Sequence, residues 1–97
     1  MRADYDSSAD TIQIELEPVR GRGYGEDVEN GAVVVTVDGG RPVMLDVIGT
    51  RDGFEGPLQV AAERYRLDAE ALIAAAQAAL AAPDRVVTVD VAVRAAA

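Results

Sequence analysis

The period of the apolar residues changes once along this chain, and that change limits the folds open to it. Up to residue 50 the pattern is that of strands. Ile12, Ile14 and Leu16 alternate with Thr11, Gln13, Glu15 and Glu17, which predicts a strand with one buried face, ended by Pro18. Ala32 to Val37 is apolar on both faces, as in a central strand. Asp38-Gly39-Gly40-Arg41 reads as a hairpin turn, because glycine reaches the positive φ such turns need. Pro42 can open the next strand, in which Val43, Leu45 and Val47 alternate. Between these lie a glycine-rich loop at Gly21–Gly25, a short edge strand near Tyr24–Val28, and a turn at Asn30-Gly31.

From Asp52 to Pro57 the period shifts to that of a helix. Leu58, Ala61, Ala62 and Tyr65 share one face, and Pro57 suits a first turn. Asp68 is a good N-cap for a second helix, with Glu70 in the first turn. Leu72, Ile73, Ala76, Ala79 and Leu80 form its expected core stripe, and Ala82-Pro83-Asp84 ends it. Val87, Val89, Val91 and Val93 then alternate with polar or small residues. The expectation is one α+β domain over 1–97. A largely antiparallel β-meander of three or four strands occupies 1–56, a helical pair on one face of it 57–82, and a closing strand 85–94.

Charge is divided as unevenly as period. Seventeen acidic residues face nine Arg and no Lys, for a net charge of −8. Twelve of the acids but only five Arg lie in residues 1–56, whereas the rest of the chain is nearly neutral. An acidic surface repels phosphate backbones and anionic lipids, so neither nucleic acid nor a membrane surface is an expected partner; a basic protein is compatible with it, and the plain alternative is that the charge only keeps a small protein soluble. No apolar run reaches the ~20 residues of a membrane span, and the first residues lack the apolar core of a secretory signal, so a cytoplasmic location is expected.

The chain has no His, Lys or Cys, which removes the usual general base, amine chemistry and thiol chemistry. Ser7 and Ser8 are its only serines and have no His to activate them. The expectation is therefore a chain that is not an enzyme and carries no cofactor. Asp4, Asp6 and Asp10, with Asp52 further off, are the candidates for a divalent-metal or small-ligand site, since Mg²⁺ and Ca²⁺ prefer oxygen ligands. Their spacing matches no calcium loop, and the plain alternative is that Asp6 and Asp10 cap a turn. Gly21–Gly25 lacks the Lys-Ser/Thr ending and the helix of a phosphate loop. Residues 58–81 could be a helix-turn-helix, but the second helix offers Gln77 and nothing cationic between Leu67 and Arg85.

That second helix has no charged residue from Ala71 to Ala82, and its expected outer face is Ala71, Ala74, Ala75, Ala78 and Ala82. A helix apolar all round is usually covered on more than one side, which makes these five the candidate interface residues, for a homo-oligomer (a homodimer in its simplest form) or for a partner; the plain alternative is that Ala is an inexpensive helix former in an Ala-rich chain.

Two stretches carry a resemblance. Tyr5-Asp6-Ser7-Ser8-Ala9-Asp10-Thr11-Ile12-Gln13-Ile14-Glu15-Leu16 fits Y-D-x-x-A-D-x-x-x-I-x-L, and Gly40-Arg41-Pro42-Val43-Met44-Leu45-Asp46-Val47-Ile48 is similar to G-R-x-V-G-[IL]-[ED]-[IV]-[IL]. Together, over residues 4–49, they resemble a family of small bacterial domains of unknown function. The resemblance implies a compact β-rich cytoplasmic protein without established activity, in some members an antitoxin-like partner of a small toxin. Met44 stands where that pattern has Gly, and residues 57–97 lie outside it. The reading that results is a non-enzymatic, self-associating protein-interaction module, with a metal or ligand module and a DNA-binding helix pair as its alternatives.

Overall fold

In the computed structural model the described residues are 1–90, 92 and 93. They form six strands and two helices: β1 (Arg2–Asp6), β2 (Thr11–Glu15), β3 (Tyr24–Val28), β4 (Val33–Asp38), β5 (Arg41–Ile48), α1 (Glu55–Tyr65), α2 (Ala69–Ala81) and β6 (Val86–Thr88). All strand pairs are antiparallel, in one sheet of order β3-β4-β5-β2-β1-β6. The α+β class is as expected, with more strands than the sequence announced.

The sheet is two units joined at β5. The β1–β2 hairpin is one unit and β3–β4–β5 the other, and β5 turns back to lie beside β2. At the β4–β5 turn Gly39 and Gly40 have φ of 61° and 78°, the left-handed pair a two-residue hairpin requires. Pro42 has no N–H to give the ladder, and the β4–β5 register shifts beside it, between Thr36 and Val37. β1 is a strand the apolar period does not announce. The closing strand is shorter than expected, Val86–Thr88 against 85–94, although Val89 N–H still donates to Met1 O. Val91, Arg94 and the Ala95–Ala97 end of the sequence reading lie outside the described residues.

Both helices cover the same face of the sheet. Leu58, Ala61 and Ala62 of α1 pack toward β3 and β4, while α2 packs on β1, β2 and β6. Beneath them Ala3, Ile12, Ile14, Val28, Val33, Val35, Leu45 and Val47 are buried. Asp68 caps α2 as expected, its carboxylate accepting from Ala71 N–H at 3.2 Å. The buried arc of α2 is Ala71, Leu72, Ala75, Ala76 and Ala79. This corrects the expected interface: Ala71 and Ala75 are core residues, and of the five alanines only Ala74 is exposed, with Ala78 and Ala82 half-buried. Eight alanines give the helix little contrast between faces, so its phase could not be set from Leu72, Ile73 and Leu80 alone. Small side chains on α2 and Ala3 beneath it let helix and sheet approach closely.

Candidate interaction surface

Alternation sends every second strand residue to the face opposite the helices, and no described element covers that face. Across the six strands the register aligns Asp27, Val34, Asp46, Gln13, Asp4 and Val86 in one row. The adjacent row on the same face is Gly25, Thr36, Met44, Glu15, Arg2 and Thr88. Ile48, Thr11 and Asp6 begin a third on its other side. These rows carry five carboxylates and one guanidinium, that of Arg2, which stands 3.9 Å from Glu15. Exposed ion pairs of this length contribute little.

Between β4 and β1 the face is divided along its width, with Asp27 on β3 and the exposed Val86 on β6 lying outside that division. On β4 and β5 it presents Val34 and Met44, both half-buried, and Ile48, 47% exposed. On β2 and β1 it presents Glu15, Asp4 and Asp6. Asp46 lies where the two meet, accepting a hydrogen bond from Gln13 Nε2 at 3.3 Å. Partial burial raises its carboxyl above the ordinary value, and the nearby charge of Asp4 pushes the same way against the Gln13 bond. A shallow depression of about 90 Å³ opens beside it, between Arg2, Asp4, Gln13, Glu15 and Val86.

The three candidate metal ligands are dispersed. Asp4 and Asp6 share the uncovered face, but Asp6 turns one oxygen to the hairpin, accepting from Ser8 N–H, Ser8 Oγ–H and Ala9 N–H. Those bonds, the Ser8 hydroxyl first, hold its pKa below the ordinary value. Asp10 adopts φ 50° and accepts from the Tyr5 hydroxyl at 2.8 Å, from Thr50 N–H at 3.0 Å and from the Thr50 hydroxyl. These bonds depress its pKa too, Thr50 most strongly, and they tie the β1–β2 turn to the chain after β5. Asp52 lies apart, in an open concavity of about 460 Å³ formed by residues 50–57. Among the described residues no three acidic side chains come together as a group that could hold a metal ion.

Three further contacts escaped the sequence reading. Asp84 accepts from Ser7 N–H at 2.9 Å and Ser7 Oγ–H at 2.7 Å, which lowers its pKa and fastens the β1–β2 turn to the end of α2. Tyr65 of α1 donates to Glu26 of β3, and burial together with that carboxylate raises its pKa to about 12. Arg41 holds Glu17 at 3.0 Å. None of these pairs is close in sequence, so only the fold could reveal them. The helical pair lies flat on the sheet, and α2 exposes Glu70, Ala74, Gln77 and Ala81, with no cation for a phosphate. Among the described residues no helix is long and apolar enough to cross a membrane.

No protein-family model, no curated protein and no solved structure matches this chain. The residues of the two signature stretches have structural places: Tyr5, Asp6 and Asp10 hold the β1–β2 turn, and Ile14, Leu45 and Val47 lie in the core.

Proposed function

We propose that this chain is a non-enzymatic protein-interaction module that offers the uncovered face of its sheet to another polypeptide. The observation that carries the reading is Val34, Met44, Ile48 and Val86 on a sheet face with no covering layer. Sheets bury apolar side chains against a second layer, and completely covering a side chain of this size contributes about 1.5–3 kcal/mol. The sequence of β4, apolar at Val33, Val34 and Val35, suits burial on both faces, while the chain's own helices supply cover for one.

The absence of His, Lys and Cys from the sequence supports a binding role over a catalytic one. The carboxylates of Asp6, Asp10 and Asp84 are engaged by hydroxyl and amide donors of neighbouring turns, which favours structural roles over metal binding. Self-association belongs to the same reading, through the strip of α2 around Ala74 and Ala78 rather than through the acidic sheet. An antitoxin-like role is one form the reading takes, drawn from the resemblance of residues 4–49.

Affinity capture from extract of the native host tests it. The chain should retain a partner that Ile48→Glu/Val86→Glu loses and Glu63→Gln, on α1, keeps. Equal retention by both variants, or no partner above a mock column, would refute it.

A further inference from the structure

The division of the uncovered face into an apolar and an acidic half says more about what it binds. We infer that it receives a basic, amphipathic helix of a partner protein, laid along β5 and β2. This rests on the interaction-module reading and adds the chemistry of the partner.

The dimensions fit. From β4 to β1 is three strand spacings, ~14 Å at ~4.8 Å each, close to the ~10–12 Å diameter of an α-helix with its side chains. β5 has eight residues, or about 26 Å of strand. A helix of about 18 residues has the same length. Such a helix sets apolar residues over Val34, Met44 and Ile48 and aims its flanking cations at Asp4, Asp6 and Glu15. Asp46 lies between the halves, half-buried before any partner arrives, where a guanidinium would replace the water that still reaches it with a charge-assisted hydrogen bond.

Charge selects against the other occupants. Two copies joined through this face would oppose carboxylate to carboxylate. Neither helix of a second copy offers a row of cations, because the outward residues of α2 are Glu70, Ala74, Gln77 and Ala81, and on α1 the one exposed guanidinium, that of Arg64, stands beside Glu63 and donates to Asp27 O. Nucleic acid and anionic lipid meet the same repulsion.

Fluorescence anisotropy with two labelled model peptides of about 18 residues tests the inference. Both carry a leucine stripe, one flanked by arginines and its twin by glutamates. The arginine peptide should bind the intact chain, more weakly as NaCl rises from about 50 mM to about 300 mM. Asp4→Asn/Asp46→Asn should weaken it at least about tenfold, and Ile48→Thr severalfold, since both halves contribute. Asp52→Asn/Glu63→Gln removes the same charge from elsewhere and should leave binding within about twofold. No binding of the arginine peptide, equal binding of its glutamate twin, or equal loss in the two double variants overturns the inference. A host partner captured through Ile48 and Val86 while the arginine peptide fails to bind would leave the interaction module standing and overturn the basic-helix assignment.

Discussion

The two faces of this sheet are made by the same strands, often by adjacent residues, and they obey different rules. Under the helices Ile12, Ile14, Val33, Val35 and Leu45 have no exposed surface. One residue along each strand, the other face carries Gln13, Glu15, Val34, Thr36, Met44 and Asp46, half-buried or exposed. The covered face was settled by packing within the chain, where a missing methylene leaves a void. The uncovered face was free to combine apolar side chains with carboxylates, a mixture that a core excludes because a buried charge without a partner costs several kcal/mol. The contrast teaches that the folding information and the binding information of this chain are interleaved at period two.

The helix side of the comparison gives the largest expected effect. Ala75 is buried beneath α2 and Ala74 beside it is exposed. Ala75→Asp places an unpaired carboxylate in the core at a cost comparable to the whole stability of a domain this size, roughly 5–15 kcal/mol. The variant should show no cooperative unfolding transition by circular dichroism. Ala74→Asp should change stability by less than about 0.5 kcal/mol and, if α2 mediates self-association, lower the mass measured by light scattering. A folded Ala75→Asp variant would mean that the phase of α2 is wrong.

The same comparison can be made inside one strand. Leu45→Ala removes a fully buried side chain at the centre of β5 and should cost about 2–5 kcal/mol in urea unfolding. Met44→Ala, one residue away and facing outward, should cost less than about 1 kcal/mol. If the costs were equal, the uncovered face would be as well packed as the core, and the case for a docking surface would fail.

How far the sequence discloses this arrangement depends on contrast between neighbouring residues. β2, the β4–β5 hairpin, both helices and the Asp68 cap are legible because Ile-Gln-Ile, Gly-Gly and Asp before a helix each have one favourable solution. β1 is not, because Arg2, Asp4 and Asp6 surround only Ala3 and Tyr5, and its pairing is fixed by β2 and β6 on either side. The carboxylate row through Asp4 and Asp46 needs the β1–β2 and β2–β5 registers, a long-range fact that no local pattern carries. The Asp4, Asp6 and Asp10 cluster illustrates the reverse error: close in sequence, the three are directed to different partners by a turn.

Acid should separate the turn carboxylates from the sheet carboxylate. Asp6, Asp10 and Asp84 have folded pKa values below the ordinary 3.8. Their contribution is present above that value and lost as pH falls through the lower folded ones. Thermal unfolding followed from about pH 5 downward should therefore show the melting temperature falling as pH approaches and passes below the ordinary value. In Asp10→Asn, which weakens the hold on Thr50 and Tyr5, the melting temperature should start lower and fall less steeply. A slope identical to that of the unaltered chain would remove Asp10 from the account.

The smallest effect is the most diagnostic of the uncovered face. Asp46 is shifted the other way, its folded pKa raised above 3.8 chiefly by burial. The sign therefore reverses: its favourable contribution is complete below the unfolded value and is lost as pH rises through the folded one, so at neutral pH the ionised group opposes folding. Asp46→Asn keeps an oxygen for Gln13 Nε2 and removes the charge. It should stabilise the chain at pH 7 by less than about 1 kcal/mol, because water still reaches half of the site and screens the penalty. The gain, read as a higher urea midpoint, should shrink as pH falls and vanish below about pH 3, where the aspartate is protonated in both states. If the variant were less stable at neutral pH, the carboxylate would be serving the fold. A carboxylate that the chain folds better without is one whose charge is held on this face for something other than folding.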